Sequence, residues 1–212
     1  MREVYNLIRV DKIKSYGLFL LSLYIMGLGI SLVTQAHLGT TSITSPSYVL
    51  SLSFPLSFGL LTMFLNFLFV ILQIIILRKD FPKLQYLQLI IGPILGLAID
   101  FWSYIILLFE QPAYWLKMLM VIMGCAVIAF STVLQLKARV VNNPAEGIVK
   151  AISSKTGKNF GMIKLYFDIT LVCIAMIISL ITLNNIYGVR EGTIISALII
   201  GPFIKKIQQY IH

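Results

Sequence analysis

Charge is scarce in this sequence: Asp, Glu, Lys and Arg make up 12% of its 212 residues, about half the share of a soluble globular chain. With 58% of its residues hydrophobic, a water-soluble fold of this length could not cover its apolar surface. Cysteine is nearly absent. Cys125 and Cys173 each sit inside an apolar run, where they read as small buried hydrophobes rather than a disulfide. His37 and His212 are isolated, and there is no paired-cysteine zinc spacing, phosphate-binding glycine loop, HExxH or GxSxG motif. No metal, no cofactor and no enzymatic chemistry are therefore expected.

What the sequence does contain is long apolar runs. Crossing a hydrocarbon core of about 30 Å takes about 20 apolar residues. Six such spans can be drawn, Tyr16 to Ala36, Ser57 to Leu77, Leu84 to Phe109, Trp115 to Leu136, Phe160 to Leu183 and Gly192 to Tyr210. Thr34-Gln35-Ala36 faintly resembles a signal-peptide cleavage site, but the preceding run is too long for a signal core. The expected fold is all-α and polytopic, a single membrane domain over residues 1–212.

The net charge of +9 does not point to nucleic acid, because the basic residues fall in the gaps between spans. Arg2, Arg9, Lys12 and Lys14 precede the first span, Arg78, Lys79 and Lys83 follow the second, and Lys137, Arg139, Lys150, Lys155 and Lys158 follow the fourth. Cytoplasmic loops carry such an excess, so both termini are placed in the cytoplasm of a bacterial cell with six crossings between them. Trp102, Tyr104, Tyr114 and Trp115 flank an outward loop as an interfacial belt.

Two polar segments, residues 37–56 and 137–158, are too long for turns. Ser45-Pro46 and Asn143-Pro144 each read as a helix cap followed by proline at the first helical position, so each segment is expected to hold a short, broken or re-entrant helix. Backbone of that kind is tolerated at membrane depth only against protein or a wet cavity.

The halves echo each other. Ser57-Phe-Gly-Leu-Leu-Thr-Met-Phe-Leu-Asn66 matches Asn159-Phe-Gly-Met-Ile-Lys-Leu-Tyr-Phe-Asp168, and Leu89-Ile-Ile-Gly-Pro93 recurs as Leu198-Ile-Ile-Gly-Pro202. Met26-Gly27 answers Met123-Gly124, and Pro46 answers Pro144. Four matches in one order indicate a repeat, about 16–109 and about 115–210. Three crossings per half invert the second half relative to the first, an arrangement that in transporters places the substrate site near the midplane where broken segments meet.

An ionised side chain at mid-membrane costs roughly 2.5–3.5 kcal/mol on insertion scales, so each one needs a reason. Asp168 lies about 12 Å into its helix at 1.5 Å per residue, and its repeat mate Asn66 sits at matching depth from the other face. Lys164, one turn earlier, either pairs with Asp168 inside the helix or belongs to the same site. Asp100 either binds a cation or proton or caps a neighbouring helix. Glu146 either lines the site or stabilises a short helix by its dipole. With Thr62 and Asn142, these residues form the candidate substrate-binding set. Gln73 extends the stripe of Thr62 and Asn66. Gly92 and Gly96 form a GxxxG pair that fits internal packing or a homodimer. Gly-Pro at 92–93 and 201–202 would kink or hinge two helices.

Taken together, LGTTSITSPSYVLS, FPLSFG, GLAID, NPAEGIVKAIS, FGMIKLYFD and GVREGT resemble the YczE/YitT-type family of bacterial integral membrane proteins, from about residue 16 to 205. The resemblance implies a small transport-type protein of the cytoplasmic membrane and brings no substrate. Where members often read Pro-Arg-Asp or Pro-Gly-Glu, this chain has Pro144-Ala145-Glu146-Gly147. The acid is kept and the arginine is not, so an anion site built on that arginine is not implied.

The expected function is membrane transport of a small solute or ion, with lipid and that solute as partners. Two alternatives stay open. One is a substrate-capturing subunit of an energy-coupling vitamin transporter, and the other a non-transporting assembly or sensing protein.

Overall fold

Apolar segments in lipid have no water to bond their backbones, so they close every N–H and C=O within a helix. The computed structural model describes residues 2–107 and 113–210, with side chains from Ile13 onward. The side chains of Arg2, Arg9 and Lys12, residues 108–112 with Glu110, and His212 lie outside the described residues. The described residues are all-helical apart from turns and links. The helices are α1 (Arg2–Gln35), α2 (Ser45–Ser53), α3 (Phe58–Leu77), α4 (Gln88–Leu107), α5 (Tyr114–Ala138), α6 (Pro144–Thr156), α7 (Phe160–Leu183) and α8 (Glu191–Tyr210). Short 3₁₀ turns at Arg78–Asp80 and Lys83–Leu87 link α3 to α4.

Five stretches, not six, are long and apolar enough to cross a membrane: Ile13–Gln35, Phe58–Asp80, Lys83–Leu107, Tyr114–Ala138 and Phe160–Leu183. The chain is a multi-pass membrane protein. The sixth expected span, α8, is helical but falls short in apolar content, because Lys205, Lys206, Gln208 and Gln209 crowd its last turns. Helices α4 and α8 both run through their internal prolines, Pro93 and Pro202.

The two polar segments fold as short helices. At 1.5 Å per residue, the nine residues of α2 and thirteen of α6 reach about 14 and 20 Å, too short to cross. The expected cap holds at α6, where the Asn143 side chain accepts from the Ala145 N–H at 3.2 Å and Pro144 follows. It fails at α2. Ser45 is already helical there and Thr44 is the cap residue, because the Ser45 hydroxyl is drawn back to the Thr41 carbonyl at 2.9 Å.

Helix α1 packs against both α4 and α5, and α5 in turn against α8. Glycines permit the approach: a Cβ on Gly29 would sit 2.7 Å from Ile128 Cγ1 and 3.0 Å from the Gly124 carbonyl, and one on Gly27 would sit 2.7 Å from Ala98 Cβ. Side chains from these three helices, among them Met26, Ile30, Leu95, Ile99, Val121, Cys125 and Ile128, form the main core. A second cluster, Phe69, Ala145, Ile148 and Leu171, joins α3, α6 and α7. Helix α3 packs on α4 and α6, α2 on α7 and α3, and α6 on α7. Helices α7 and α8 make no comparable contact among the described residues. Cys173, unlike buried Cys125, is exposed.

The GxxxG glycines face inward. A Cβ on Gly96 would lie 2.5 Å from the Gly59 carbonyl oxygen, and one on Gly92 would lie 3.3 Å from Asn66 Cβ. The pair therefore seals α4 against α3. The corresponding α7 and α8 glycines are open: a Cβ on Gly201 would meet nothing within 4 Å, and one on Gly161 only Asn159 Oδ1 at 3.2 Å.

Candidate functional site

Helices that turn polar residues away from lipid must collect them somewhere inside. Here they border a cavity of about 270 Å³ at the junction of α1, α3, α4, α5, α7 and α8 with the entries to α2 and α6. Thr62 and Asn66 reach it from α3, Lys164 and Asp168 from α7, and Glu146 from the first turn of α6. Its apolar wall is Met26, Ile30, Leu95, Ile128, Ile200 and Ile204. Five of the seven candidate residues therefore share one space.

The two others lie elsewhere. Asp100 grips the start of α3, accepting from the Ser57 hydroxyl at 2.5 Å and the Gly59 N–H at 2.7 Å. An acid at a helix N-terminus satisfies unbonded N–H groups and the dipole, so Asp100 acts as a clasp between α4 and α3. Asn142 borders two neighbouring cavities rather than the central one. One of these, about 280 Å³, contains Arg139 and Lys150 and shares Thr132, Asn143 and Glu146 with the central cavity. Glu146 stands at the boundary between them.

Gln73, the far end of the α3 polar stripe, is structural. Its Nε2 donates to Gln88 Oε1 at 2.8 Å and to the Pro144 carbonyl at 3.1 Å, pinning α6 to α3. The close seat needs Gly147, whose missing side chain leaves room for the Gln73 amide.

Lys164 Nζ donates to both Asp168 oxygens, at 2.9 and 2.8 Å, and the two side chains keep 29% and 23% of their exposure. Asn66 is the opposite case. It is 4% exposed, and it forms no hydrogen bond among the described residues. Three buried side-chain polar atoms among the described residues lack a partner, Ser47 Oγ, Asn66 Nδ2 and Trp102 Nε1, and only that of Asn66 belongs to a residue lining this cavity. An orphaned buried donor costs roughly 1–3 kcal/mol, a cost that a bound partner would remove.

Sequence reasoning missed Thr132, Ser196 and Asn143 as lining residues. Thr132, beside Ser131, and Ser196, one turn after Thr193, are hydroxyls in otherwise apolar stretches that can bond their own helix backbone, so nothing in the local pattern singles them out. The lining residues Thr41, Ser42 and Thr44 fall in the polar segment already marked as broken, and that was the available signal. Thr44 belongs to a hydroxyl chain, Thr34 to Thr40 at 2.8 Å, Thr40 to Thr44 at 3.0 Å and Thr41 to Thr44 at 2.8 Å. The chain continues to α8, where the Thr40 N–H donates to Thr193 Oγ1 at 3.2 Å and the Gly192 N–H to the Leu38 carbonyl at 2.7 Å. The start of α8 is thus fixed to the first half, while its Gly201 turn borders open space. No cluster of three or more metal-ligating side chains occurs among the described residues.

No curated protein and no solved structure matches this chain. A family model does, over residues 13–209, and on that match the chain belongs to DUF6198, a family of unknown function.

Proposed function

We propose that this protein carries a small solute across the bacterial cytoplasmic membrane as a secondary transporter, with the central cavity as its binding site. The observation that carries this reading is the cavity itself, a largely apolar space lined from both halves that Thr62, Asn66, Glu146, Lys164 and Asp168 border, with the Asn66 amide nitrogen left without a partner among the described residues. A protein whose polar residues served only to hold helices together would have them bonded to one another, as Asp100 and Gln73 are.

The likeness to YczE/YitT-type proteins and the repeat in the sequence favour two inverted halves with α8 as a sixth crossing. The packing pattern supports that arrangement. Exchanging α1 with α5, α2 with α6, α3 with α7 and α4 with α8 turns the α1/α4 contact into α5/α8, α3/α6 into α7/α2, and α2/α3 into α6/α7. The α3/α4 contact alone lacks its mate among these pairings. One seam closed and its counterpart open is the asymmetry expected of a single state in an alternating-access cycle.

Two experiments test the reading. A reporter fused to the C-terminus should sit in the cytoplasm, since six crossings return the chain to the side of its N-terminus, and an external C-terminus removes α8 as a span. Solutes screened by thermal shift on the detergent-purified protein should include one that raises its melting midpoint and enters proteoliposomes. Asn66→Leu should keep the midpoint, because it replaces an unbonded amide by an apolar group of similar size, and should lower uptake at least about tenfold, the loss of one good hydrogen bond. A stabilising solute that crosses under neither a proton nor a sodium gradient overturns the transport reading.

A further inference from the structure

The polar groups around the cavity divide into those already committed and those left over. Thr62 and Thr132 donate their hydroxyls to the Phe58 and Ile128 carbonyls one turn back, and Ser196 donates to Thr193. Asn143 caps α6 with its oxygen and points its amide nitrogen at Met26 Sδ. Lys164 and Asp168 hold each other through both carboxylate oxygens. Thr41 and Thr44 bond each other, and the Asn66 amide, the Glu146 carboxylate and the Ser42 hydroxyl remain, none with a hydrogen bond or ion pair among the described residues. Lys164, which lines the same cavity, is taken up by Asp168. Arg139 and Lys150 border the adjoining cavity on the other side of Glu146 and form no ion pair with it.

We propose that the central cavity takes a small organic amine that carries a hydrogen-bond acceptor beside its cationic nitrogen, the nitrogen held by Glu146 and the acceptor by the Asn66 amide. The assignment rests on the reading of this cavity as a solute site. Burial pushes the Glu146 carboxyl up, a shift that a bound cation reverses, and once Glu146 is ionised the cavity holds two carboxylates against one ammonium, a balance that a cationic solute neutralises and an anionic one worsens. The lining contains no aromatic side chain, so a cation–π cage for a quaternary ammonium is not available, and a nitrogen with N–H donors is the form a carboxylate bonds. The apolar wall of Met26, Ile30, Leu95 and Ile128 accommodates a short hydrocarbon body. The volume lies just below the roughly 300–1,000 Å³ of drug-sized pockets.

The test uses solutes that share an isobutyl body and differ in polar groups: leucinol, 3-methylbutylamine, leucine and 4-methylvalerate. Saturable thermal shifts are measured on the full-length protein in detergent. Leucinol should bind most tightly, 3-methylbutylamine about tenfold more weakly for want of the acceptor, and 4-methylvalerate not at all. Leucine should bind more weakly than leucinol, because Lys164 is held by Asp168 and leaves its carboxylate without a free cation, and leucine binding as tightly as leucinol overturns the assignment.

Glu146→Gln, of the same shape, should cost the two amines at least tenfold, and Asn66→Leu should erase the advantage of leucinol over 3-methylbutylamine. The midpoint of each variant without solute reports that it is folded. Equal or tighter binding of 4-methylvalerate, no saturable shift from either amine, or unchanged amine affinity in Glu146→Gln overturns the assignment. The two readings fail separately. Amine binding in this order without flux would leave the class standing and remove transport, whereas flux of an anion would do the reverse.

Discussion

Asp168→Asn is expected to abolish solute movement, and the double replacement Lys164→Met, Asp168→Leu is expected to remain inactive although it restores stability. The two effects separate the pair's role in the site from its role in packing. Lys164 is bonded to both oxygens of Asp168, so neutralising the acid leaves an ammonium facing a cavity without its partner. Breaking a fully buried pair costs about 3–5 kcal/mol, whereas removing both partners can be neutral or favourable. Here each side chain keeps about a quarter of its exposure, and solvent screening brings the single-mutant cost down to about 1–2 kcal/mol. The lysine precedes the acid by four residues, the less favourable order against the helix dipole, so stabilising α7 is a weak reason for the pair to exist. The melting midpoint should drop in Asp168→Asn and recover in the double replacement, while uptake in proteoliposomes stays lost in both. Wild-type uptake by the double replacement would dispose of the site role and leave a helix-internal ion pair.

The second large effect concerns the seams. Gly59→Ala is expected to destabilise the protein by about 1–3 kcal/mol, the range for forcing extra volume into a packed contact, while its repeat counterpart Gly161→Ala is expected to be neutral or slightly stabilising. A Cβ on Gly59 would collide with the Gly96 carbonyl oxygen and lie 2.6 Å from Asp100 Cγ, displacing the acid that holds the Gly59 N–H. Backbone oxygen cannot move aside as a flexible side-chain end can. A Cβ on Gly161 meets only Asn159 Oδ1 at 3.2 Å, and alanine is the better helix former by up to about 1 kcal/mol. Thermal midpoints of the two variants in one detergent decide the matter. Equal losses would mean that both seams are packed, contrary to the open α7/α8 edge.

Helix positions were legible in the sequence because lipid leaves an apolar backbone one way to satisfy itself, and Phe160–Leu183 forms the span drawn from its residues alone. The short helix at Pro144 was legible for a different reason, since Asn-Pro offers both a cap and a preset backbone angle. Helix α8 forms where its apolar first half set the expectation, and its lysines and glutamines keep it below the apolar content of the five other spans. At Ser45 the cap was misplaced by one residue, because its hydroxyl had a nearer acceptor in the preceding turn.

Asn66 and Asp168 stood out in the sequence because a polar group deep in an apolar run carries a desolvation cost wherever it points. That cost says a partner exists and does not say which. Asp100 and Asp168 looked alike on those grounds, and only the tertiary structure separated them, since one has the start of α3 within 2.7 Å and the other faces a cavity with Lys164. Gln73 and Asn66 lie on one stripe of one helix, yet Gln73 bonds to α6 and Gln88 while the Asn66 amide nitrogen has no hydrogen-bond partner among the described residues. Periodicity fixes which residues share a face of a helix. Which neighbour that face meets, and whether a seam between two helices is shut by glycine or left open, depends on contacts between segments far apart in the chain, and no local pattern encodes them.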